Sequence, residues 1–417
     1  MKNRSVPFSA IGTILIVALS GFLVGFDGSL FTGAVVYVKG TFELTNLEVG
    51  WAVVSQPFMA TIAIFCAGPI ADRVGRRTVL RAAGFIFIGS ALVAAAATTM
   101  VELIAGRMLS GLGVGAVLVA GPMYIAEISP PALRGRMVTF NQLFIVLGIA
   151  LAFISNYAIV RLEDFHFDWL ATLHLTDWNW RWMLGIGALP ALIYLFALLW
   201  VPESPRWLAM HGRLDAARRI LTRAHGEALA EKELEEMRVS LSHEAGKSDA
   251  TLRDLWVPQL RGVLIIGMLV GIFQQITGIS SVLAYATVIF ERAGAGAGAD
   301  ASFMQTVYVG LVNLFFTVFA LLLIDRVGRR PLLLAGMTGM AACLLLTAYG
   351  FSTADGAINP KIVLAGLLGF VASFAMSLGP VMWVLLSEIF PTRVRGRAFP
   401  AAAWRASRAR AARTPRR

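Results

Sequence analysis

Two charged residues lie inside apolar runs that are long enough to cross a bilayer. Asp27 lies about ten residues from one end of the first run, and Arg107 lies about eight residues from the same-side end of the fourth run. At 1.5 Å per helical residue these depths are roughly 15 and 12 Å, which allows the two side chains to pair. A charge within a span is costly and usually functional. The pair therefore indicates either an acid that binds and releases a proton beside a cation, or a permanent structural ion pair.

An acidic and basic motif occurs twice in the chain. Residues 68–77 read GPIADRVGRR, and residues 325–331 read DRVGRRP. Asp72 follows the second apolar run of the first half, and Asp325 follows the second run of the second half.

A glutamate motif repeats in the same order. Residues 124–136 read YIAEISPPALRGR, and residues 385–397 read LLSEIFPTRVRGR, so that Glu127 and Glu388 close the fourth run of each half. Two motifs repeated in order predict two homologous halves in parallel orientation, which is typical of alternating-access transporters. Basic loops that only set the topology would explain the arginines but not the paired acids.

These motifs place both signs of charge at the same depth. A carboxylate at a helix end can pair with an arginine of a neighbouring helix, and such pairs can bias a two-state equilibrium by about a few kcal/mol. We expect Asp72 to pair with Arg76 and Glu127 to pair with Arg134. We call the charged residues that could pair when the inner side is closed the inner gate. The complete predicted set comprises Asp72, Arg76, Glu127, Arg134, Glu203, Arg206, Asp325, Arg329, Glu388 and Arg395.

The composition identifies the elements that must hold these charges. Hydrophobic residues make up 57% of the 417 residues and charged residues 15%, and the mean hydropathy is +0.72, which excludes a soluble domain. Both cysteines lie in apolar runs, which argues against a disulfide framework or a cysteine metal site. The sequence predicts an all-α polytopic membrane protein with ten spans, at roughly 11–37, 49–71, 78–100, 102–126, 137–160, 181–201, 261–290, 303–324, 331–352 and 361–388.

The distribution of basic residues predicts the orientation. With the N-terminus inside, about 30 Lys and Arg residues fall on the inner side and about five on the outer side. The formal charge of +11 thus reflects topology rather than nucleic-acid binding. We expect a multi-pass protein of the plasma (inner) membrane with a cytoplasmic N-terminus.

The same pattern divides the chain into four parts. The linker contains apolar positions at helical spacing, which favours amphipathic helices at 214–224 and 227–242. The predicted parts are an N-terminal six-helix bundle at 1–201, cytoplasmic linker helices at 202–260, an incomplete four-helix C-terminal bundle at 261–398 and a basic tail at 399–417.

The basic tail has its own interpretation. Six Arg in the 19 residues after Ala398 cannot form a span. We expect a shifted reading frame that replaces the last two helices; a genuine amphipathic tail on the inner membrane surface is the alternative.

Several motifs give the chain a family resemblance. From residue 10 to about 398 it resembles the sugar porter family of the major facilitator superfamily, and most nearly its bacterial proton-coupled symporters. That family has twelve helices in two six-helix bundles, of which this chain would have ten. The motifs are DRVGRR in both halves, RMLSGLGVG at 107–115, VPESPRWL at 201–208, QQITGIS at 274–280 and GPVMWVLLSEIFP at 379–391.

The resemblance implies a central sugar site. Amide side chains suit sugar hydroxyls because they both donate and accept hydrogen bonds without carrying charge, and an indole covers the apolar side of the ring. A single amide could equally form an inter-helix hydrogen bond. Ser280 stands where the family usually has Asn, which leaves the identity of the sugar open. The implied set is Gln142, Gln274, Gln275, Ser280, Asn313 and Trp383.

The resemblance also implies a function. Proton symporters of the family carry both an Asp at the position of Asp27 and an Arg at the position of Arg107. We therefore expect proton-coupled uptake of a sugar or polyol by a monomer. A sugar-sensing receptor on the same fold and an inert truncated product are the alternatives. We expect no enzyme activity, cofactor or metal, because the sequence has no Walker motif, metal cluster or nucleophile–base pair.

Overall fold

The computed structural model describes residues 8–130, 134–162, 175–245, 258–294, 299–352 and 358–382. This part of the chain folds into helices because lipid cannot satisfy the backbone polar groups of a span. The helices are α1 (Phe8–Thr41), α2 (Asn46–Val74), α3 (Arg76–Ala96), α4 (Met100–Ile128), α5 (Arg134–Leu162), α6 (Leu175–Gly185), α7 (Ala188–Ala197), α8 (Pro205–Met210), α9 (Leu214–His225), α10 (Glu227–Ala245), α11 (Pro258–Ile276), α12 (Ile279–Ala284), α13 (Ala286–Arg292), α14 (Ala299–Val327), α15 (Arg329–Phe351) and α16 (Pro360–Met376).

The predicted number of membrane spans is confirmed. Ten helical segments of the described residues are long and apolar enough to cross a bilayer. Spans six and seven differ from the uninterrupted helices that the hydropathy predicts. The sixth is divided between α6 and α7 near Gly187, and the seventh is divided at Gly278, which has a left-handed backbone with φ of 85°. The second break follows directly after the predicted sugar-binding pair of glutamines.

The repeated DRVGRR motif has the same local structure in both halves. Gly75 and Gly328 separate consecutive spans with φ of 98° and 88°, a region that disfavours residues with a Cβ. The arginine after each glycine donates back to the preceding helix. Arg76 Nη1 reaches the carbonyl of Ala71 at 3.1 Å, and Arg329 Nη1 reaches that of Ile324 at 3.3 Å. The motif therefore builds the same tight turn twice.

Glycines bring the spans of the first half, α1–α7, into close contact. A Cβ at Gly25 or Gly148 would overlap the backbone of the partner helix where α1 packs on α5. A Cβ at Gly111 or Gly115 would do the same where α4 packs on α2. Small residues at such crossings let helix backbones approach closely in a membrane. This contact places polar side chains of α2 within reach of α4.

The first half meets the second half, α11–α16, away from α8–α10. We call the end of the spans near α8–α10 the linker side and the other end the far side. On the far side, Thr32 Oγ1 donates to the carbonyl of Leu283 at 3.1 Å, and the rings of Tyr37 and Phe303 lie 6.0 Å apart. Phe153 of α5 is buried in the apolar core of the second half. These contacts join the halves in the far-side part of the spans.

Helices α8–α10 form a small layer on the linker side. The predicted amphipathic helices closely match α9 and α10. Their apolar faces form a core with Leu208 and Ala209 of α8. The division of the whole chain into four parts at the stated boundaries stays a prediction.

His225 fastens this layer to the first half. Its buried ring contacts a carboxylate oxygen of Glu233 through Nδ1 at 2.8 Å and the carbonyl of Ile128 through Nε2 at 2.9 Å. Ile128 ends α4, where the last helix carbonyls have no partner within the helix, so the contact with Nε2 satisfies one of them.

We expect His225→Ala to loosen the α8–α10 layer. The substitution leaves the carboxylate of Glu233 buried without its partner, at a cost of about 1–3 kcal/mol. Thermal unfolding of the purified protein should shift to lower temperature, and trypsin should cleave the layer faster. His211→Ala is the matched control, because His211 is exposed. Equal cleavage rates for the two variants would contradict this role.

Candidate functional site

Asp27 lies at the centre of a hydrogen-bonded network between α1, α2 and α4. Its Oδ2 accepts from Nε2 of Gln56 at 2.5 Å and from the hydroxyl of Ser110. The same Nε2 of Gln56 lies 2.9 Å from Ser110 Oγ. Gln56 Oε1 accepts from Arg107 Nη2 at 3.0 Å. The carboxyl group and the guanidinium are therefore joined through one amide.

Arg107 is fixed by groups other than Asp27. Its side chain is 5% exposed, its Nε donates to the carbonyl of Ala52 at 3.2 Å, and its guanidinium lies 4.1 Å from the ring centroid of Phe31. A cation over an aromatic face gains an attractive electrostatic contact. The cation can thus stay in place whether or not the carboxyl group carries a charge.

A small cavity adjoins the network. Its volume of about 10 Å³ is close to the least that holds one water molecule. The polar part of its lining comes from Asp27, Ser90, Arg107 and Ser110. The cavity places a water-sized space beside the acid.

The structure differs from the expected direct pairing of Asp27 with Arg107. In the described part of the chain, Asp27 and Arg107 form no direct ion pair, because the amide of Gln56 lies between them. No direct signal in the sequence indicates this arrangement. A glutamine within an apolar run was visible, but its contacts depend on how closely α2 packs on α4.

A second charged cluster lies on the linker side. Arg76 is 2% exposed and its Nη2 lies 2.7 Å from Asp72 Oδ1 and 3.0 Å from Glu127 Oε1. Glu127 Oε2 also accepts from the hydroxyl of Ser204 at 2.5 Å. One buried arginine therefore joins the ends of α2 and α4 to the residues before α8.

Glu203 binds the turn between α2 and α3. Its Oε1 accepts from the backbone N–H of Arg77 at 3.0 Å and from that of Ser204 at 2.9 Å. A Cβ at Gly75 would overlap this carboxylate and force it to shift, in addition to the strain that the φ of 98° would impose on another residue. Arg206 lies in the first turn of α8.

Several predicted gate and sugar-site residues lie outside the described part of the chain. Arg134 and Asp325 belong to α5 and α14, but their side chains are not described, so the expected pairing of Glu127 with Arg134 stays a prediction. Three further residues lie outside the described ranges altogether, namely Trp383, Glu388 and Arg395.

Three of the predicted sugar-site residues are linked in the structure. Gln274 is 7% exposed and its Nε2 donates to the carbonyl of Leu378 at 3.2 Å. Gln275 Nε2 lies 3.5 Å from Gln274 Oε1, and the Ser280 hydroxyl donates to Gln275 Oε1 at 3.3 Å. This chain of hydrogen bonds surrounds the break at Gly278.

The other two described residues of the set lie on adjacent spans. Gln142 is half-buried on α5, and Asn313 is 4% exposed on α14. Helices α5 and α14 pack against each other across the two halves. The amides of the set therefore come from both halves.

The fold and this placement of polar residues define a membrane transporter of two related halves. Residues 13–406 match the profile of the family described as "Sugar (and other) transporter", and the chain belongs to that family. The match extends past Ala398, where the sequence predicts the basic tail to begin. The family and the major facilitator fold are thus confirmed.

Relatives and solved structures agree with this assignment. The chain is 37% identical to an arabinose-proton symporter of Bacillus subtilis, over 93% of this chain and 82% of that protein. It is 36% identical to the D-xylose-proton symporter of Escherichia coli, over 97% and 84% of the two chains. The structure of the proton:xylose symporter XylE bound to 6-bromo-6-deoxy-D-glucose superimposes with a TM-score of 0.79 at 34% identity, covering 95% of this chain and 86% of that one. The partially occluded inward open conformation of XylE from E. coli gives a TM-score of 0.78 at 33% identity, covering 95% and 90%.

Proposed function

We propose that this protein moves a sugar or polyol together with protons across the membrane by alternating access. The observation that carries the proposal is the carboxyl group of Asp27, held within a span by neutral donors beside a separately fixed cation. Such a carboxyl group can lose and regain a proton without displacing Arg107. The similarity to arabinose-proton and xylose-proton symporters supports the same chemistry.

The two charged clusters have different roles in this proposal. Asp27 carries the coupling proton, and Arg107 favours its release. The cluster around Arg76 holds the linker-side ends of the first half together and biases the equilibrium between conformations. The counterpart charges of the second half, Arg329 among them, do the same there.

The contacts between the halves support a conformation that is closed on the far side. Thr32, Tyr37 and Phe153 all meet the second half in that part of the spans. With the N-terminus and the linker in the cytoplasm of the cell that makes the protein, access to the central site is then from the inside. We place the protein in the plasma (inner) membrane as a monomer, without nucleic-acid partners, cofactor or enzymatic activity.

The amide set binds the sugar in this proposal. Gln142, Gln275 and Asn313 offer neutral donors and acceptors, Ser280 adds a hydroxyl group, and Trp383 would cover one face of the ring. Gln274 is joined to Leu378 in this conformation, so sugar binding and the packing of the second half compete for its amide.

Alanine at Asn313 or Gln142 is expected to weaken sugar binding by roughly tenfold or more. The loss of one neutral hydrogen bond to a buried polar partner costs about 1–3 kcal/mol, and 1.4 kcal/mol is a factor of ten. Calorimetry should first identify the best ligand of the unmodified protein among L-arabinose, D-xylose, D-glucose and myo-inositol. Each variant is then titrated with that ligand.

Asn46→Ala is the matched control for these variants. Its amide is exposed at the start of α2 and accepts from Lys39. Normal affinity in both the Asn313 and Gln142 variants would place the sugar site elsewhere.

A further inference from the structure

We propose that Gln56 is a positioning residue for proton coupling, because it separates the carboxyl group of Asp27 from the guanidinium of Arg107. This inference rests on the proposed function of Asp27. It adds a residue of α2 to those needed for proton coupling, whereas the residues predicted from the sequence for coupling lie on α1 and α4.

All hydrogen-bonding atoms of the Gln56 amide are engaged. The side chain is 6% exposed, its Nε2 donates to Asp27 at 2.5 Å and to Ser110 at 2.9 Å, and its Oε1 accepts from Arg107 at 3.0 Å. Only one orientation of the amide satisfies these partners, because a carboxylate needs a donor and a guanidinium needs an acceptor. The amide dipole therefore points from the cation to the acid.

The position of Gln56 is fixed by backbone contact. Gly111 of α4 faces the carbonyl of Gln56, where any Cβ would overlap it. This close approach of α2 and α4 places the amide beside both Ser110 and Arg107, which lie one turn apart on α4. A rigid backbone at this point keeps the separation between acid and cation constant.

The separation has a chemical consequence. A carboxylate in direct contact with a guanidinium is strongly held in its charged form. With an amide between them, a proton from water can bind Asp27, and the Ser110 hydroxyl can turn from donor to acceptor for the new O–H. Nε2 of Gln56 still donates to the other lone pairs of the acid, and Arg107 keeps its contacts with Ala52 and Phe31.

Among the described residues, the charged side chain that is hydrogen-bonded to Gln56 besides Asp27 is Arg107 of α4. Arg181 of α6 donates instead to the carbonyl of Ala95 at 2.7 Å. Between residues 141 and 160, α5 carries Tyr157 as its one ionisable side chain. A new charge at position 56 would therefore act mainly on Asp27 and Arg107.

The test is the pH profile of the Gln56→Glu variant. The substitution keeps the shape of the side chain, pairs a carboxylate with Arg107 and puts a like charge beside Asp27. A like charge makes proton binding more favourable, so the pH of half-maximal sugar-driven proton uptake in liposomes should rise by about one unit or more. Gln305→Glu on α14 makes the same change in the other half and should leave the profile unmoved.

Two further variants separate the possible outcomes. If Gln56→Glu is not recovered as a folded protein, Gln56→Met is measured instead and should reduce sugar accumulation at least tenfold while sugar exchange continues. Normal uphill accumulation by Asp27→Asn would overturn the proposed role of Asp27, on which this inference rests. If Asp27 is required as proposed but the pH profile of Gln56→Glu is unshifted, only the role of Gln56 is overturned. Full sugar accumulation by Gln56→Met would have the same consequence.

Discussion

Asp27→Asn is expected to abolish sugar accumulation against a gradient and to leave sugar exchange largely intact. The asparagine keeps the size and can keep one acceptor for Gln56 and Ser110, but it cannot bind and release a proton. Without a proton to carry, the sugar can only equilibrate. Accumulation should fall to the level of passive equilibration, whereas exchange of labelled for unlabelled sugar should persist.

The measurement uses liposomes that contain the purified variant. An imposed inward proton gradient drives accumulation, and equal sugar on both sides measures exchange. Ser29→Ala is the control, because Ser29 is a buried polar residue near Asp27 in α1. Accumulation by Asp27→Asn that matches the unmodified protein would show that the proton is carried elsewhere.

Arg76→Met is expected to reduce the transport rate by roughly 100-fold or more. The substitution leaves Glu127 without its cation in a site where the carboxylate side chain is 10% exposed. Removing one partner of a buried ion pair costs about 3–5 kcal/mol, which corresponds to about two to four powers of ten if the cost falls on one conformation. Asp72 is half exposed and should contribute little of this effect.

Arg73→Met serves as the matched control for the gate. Arg73 carries the same charge three residues earlier, but it is exposed. Its variant should transport at close to the normal rate, and adding Glu127→Gln to Arg76→Met should recover part of the lost rate. A normal rate in Arg76→Met would mean that the cluster has no part in the conformational cycle.

Much of the architecture could be predicted from the sequence because it depends on local properties. A span requires about 20 apolar residues, and the described part of the chain contains ten such helical segments. The two DRVGRR motifs predicted related halves, and Gly75 and Gly328 indeed share one backbone conformation. The motifs around 201–208 and 274–280 pointed to the family that the profile match confirms.

The contacts within the candidate site could not be predicted in the same way. The contact of Glu127 with Arg76 depends on the rotation of α2 and α4 about their axes, which the sequence pattern does not report. The place of Gln56 between Asp27 and Arg107 depends on the close approach at Gly111. The break at Gly278 lies inside a continuous apolar run, so hydropathy alone does not reveal it.

The most direct test of the proposed function is sugar-driven proton movement. The purified protein is placed in liposomes that enclose a pH-sensitive dye, with no initial pH gradient, and D-xylose, L-arabinose, D-glucose or myo-inositol is added outside. We expect at least one of these sugars to acidify the interior of liposomes that contain the unmodified protein. None should do so in liposomes that contain the Asp27→Asn variant. Sugar entry without any change of internal pH would contradict proton coupling, and the absence of both sugar and proton movement for the whole panel would contradict sugar transport by this chain.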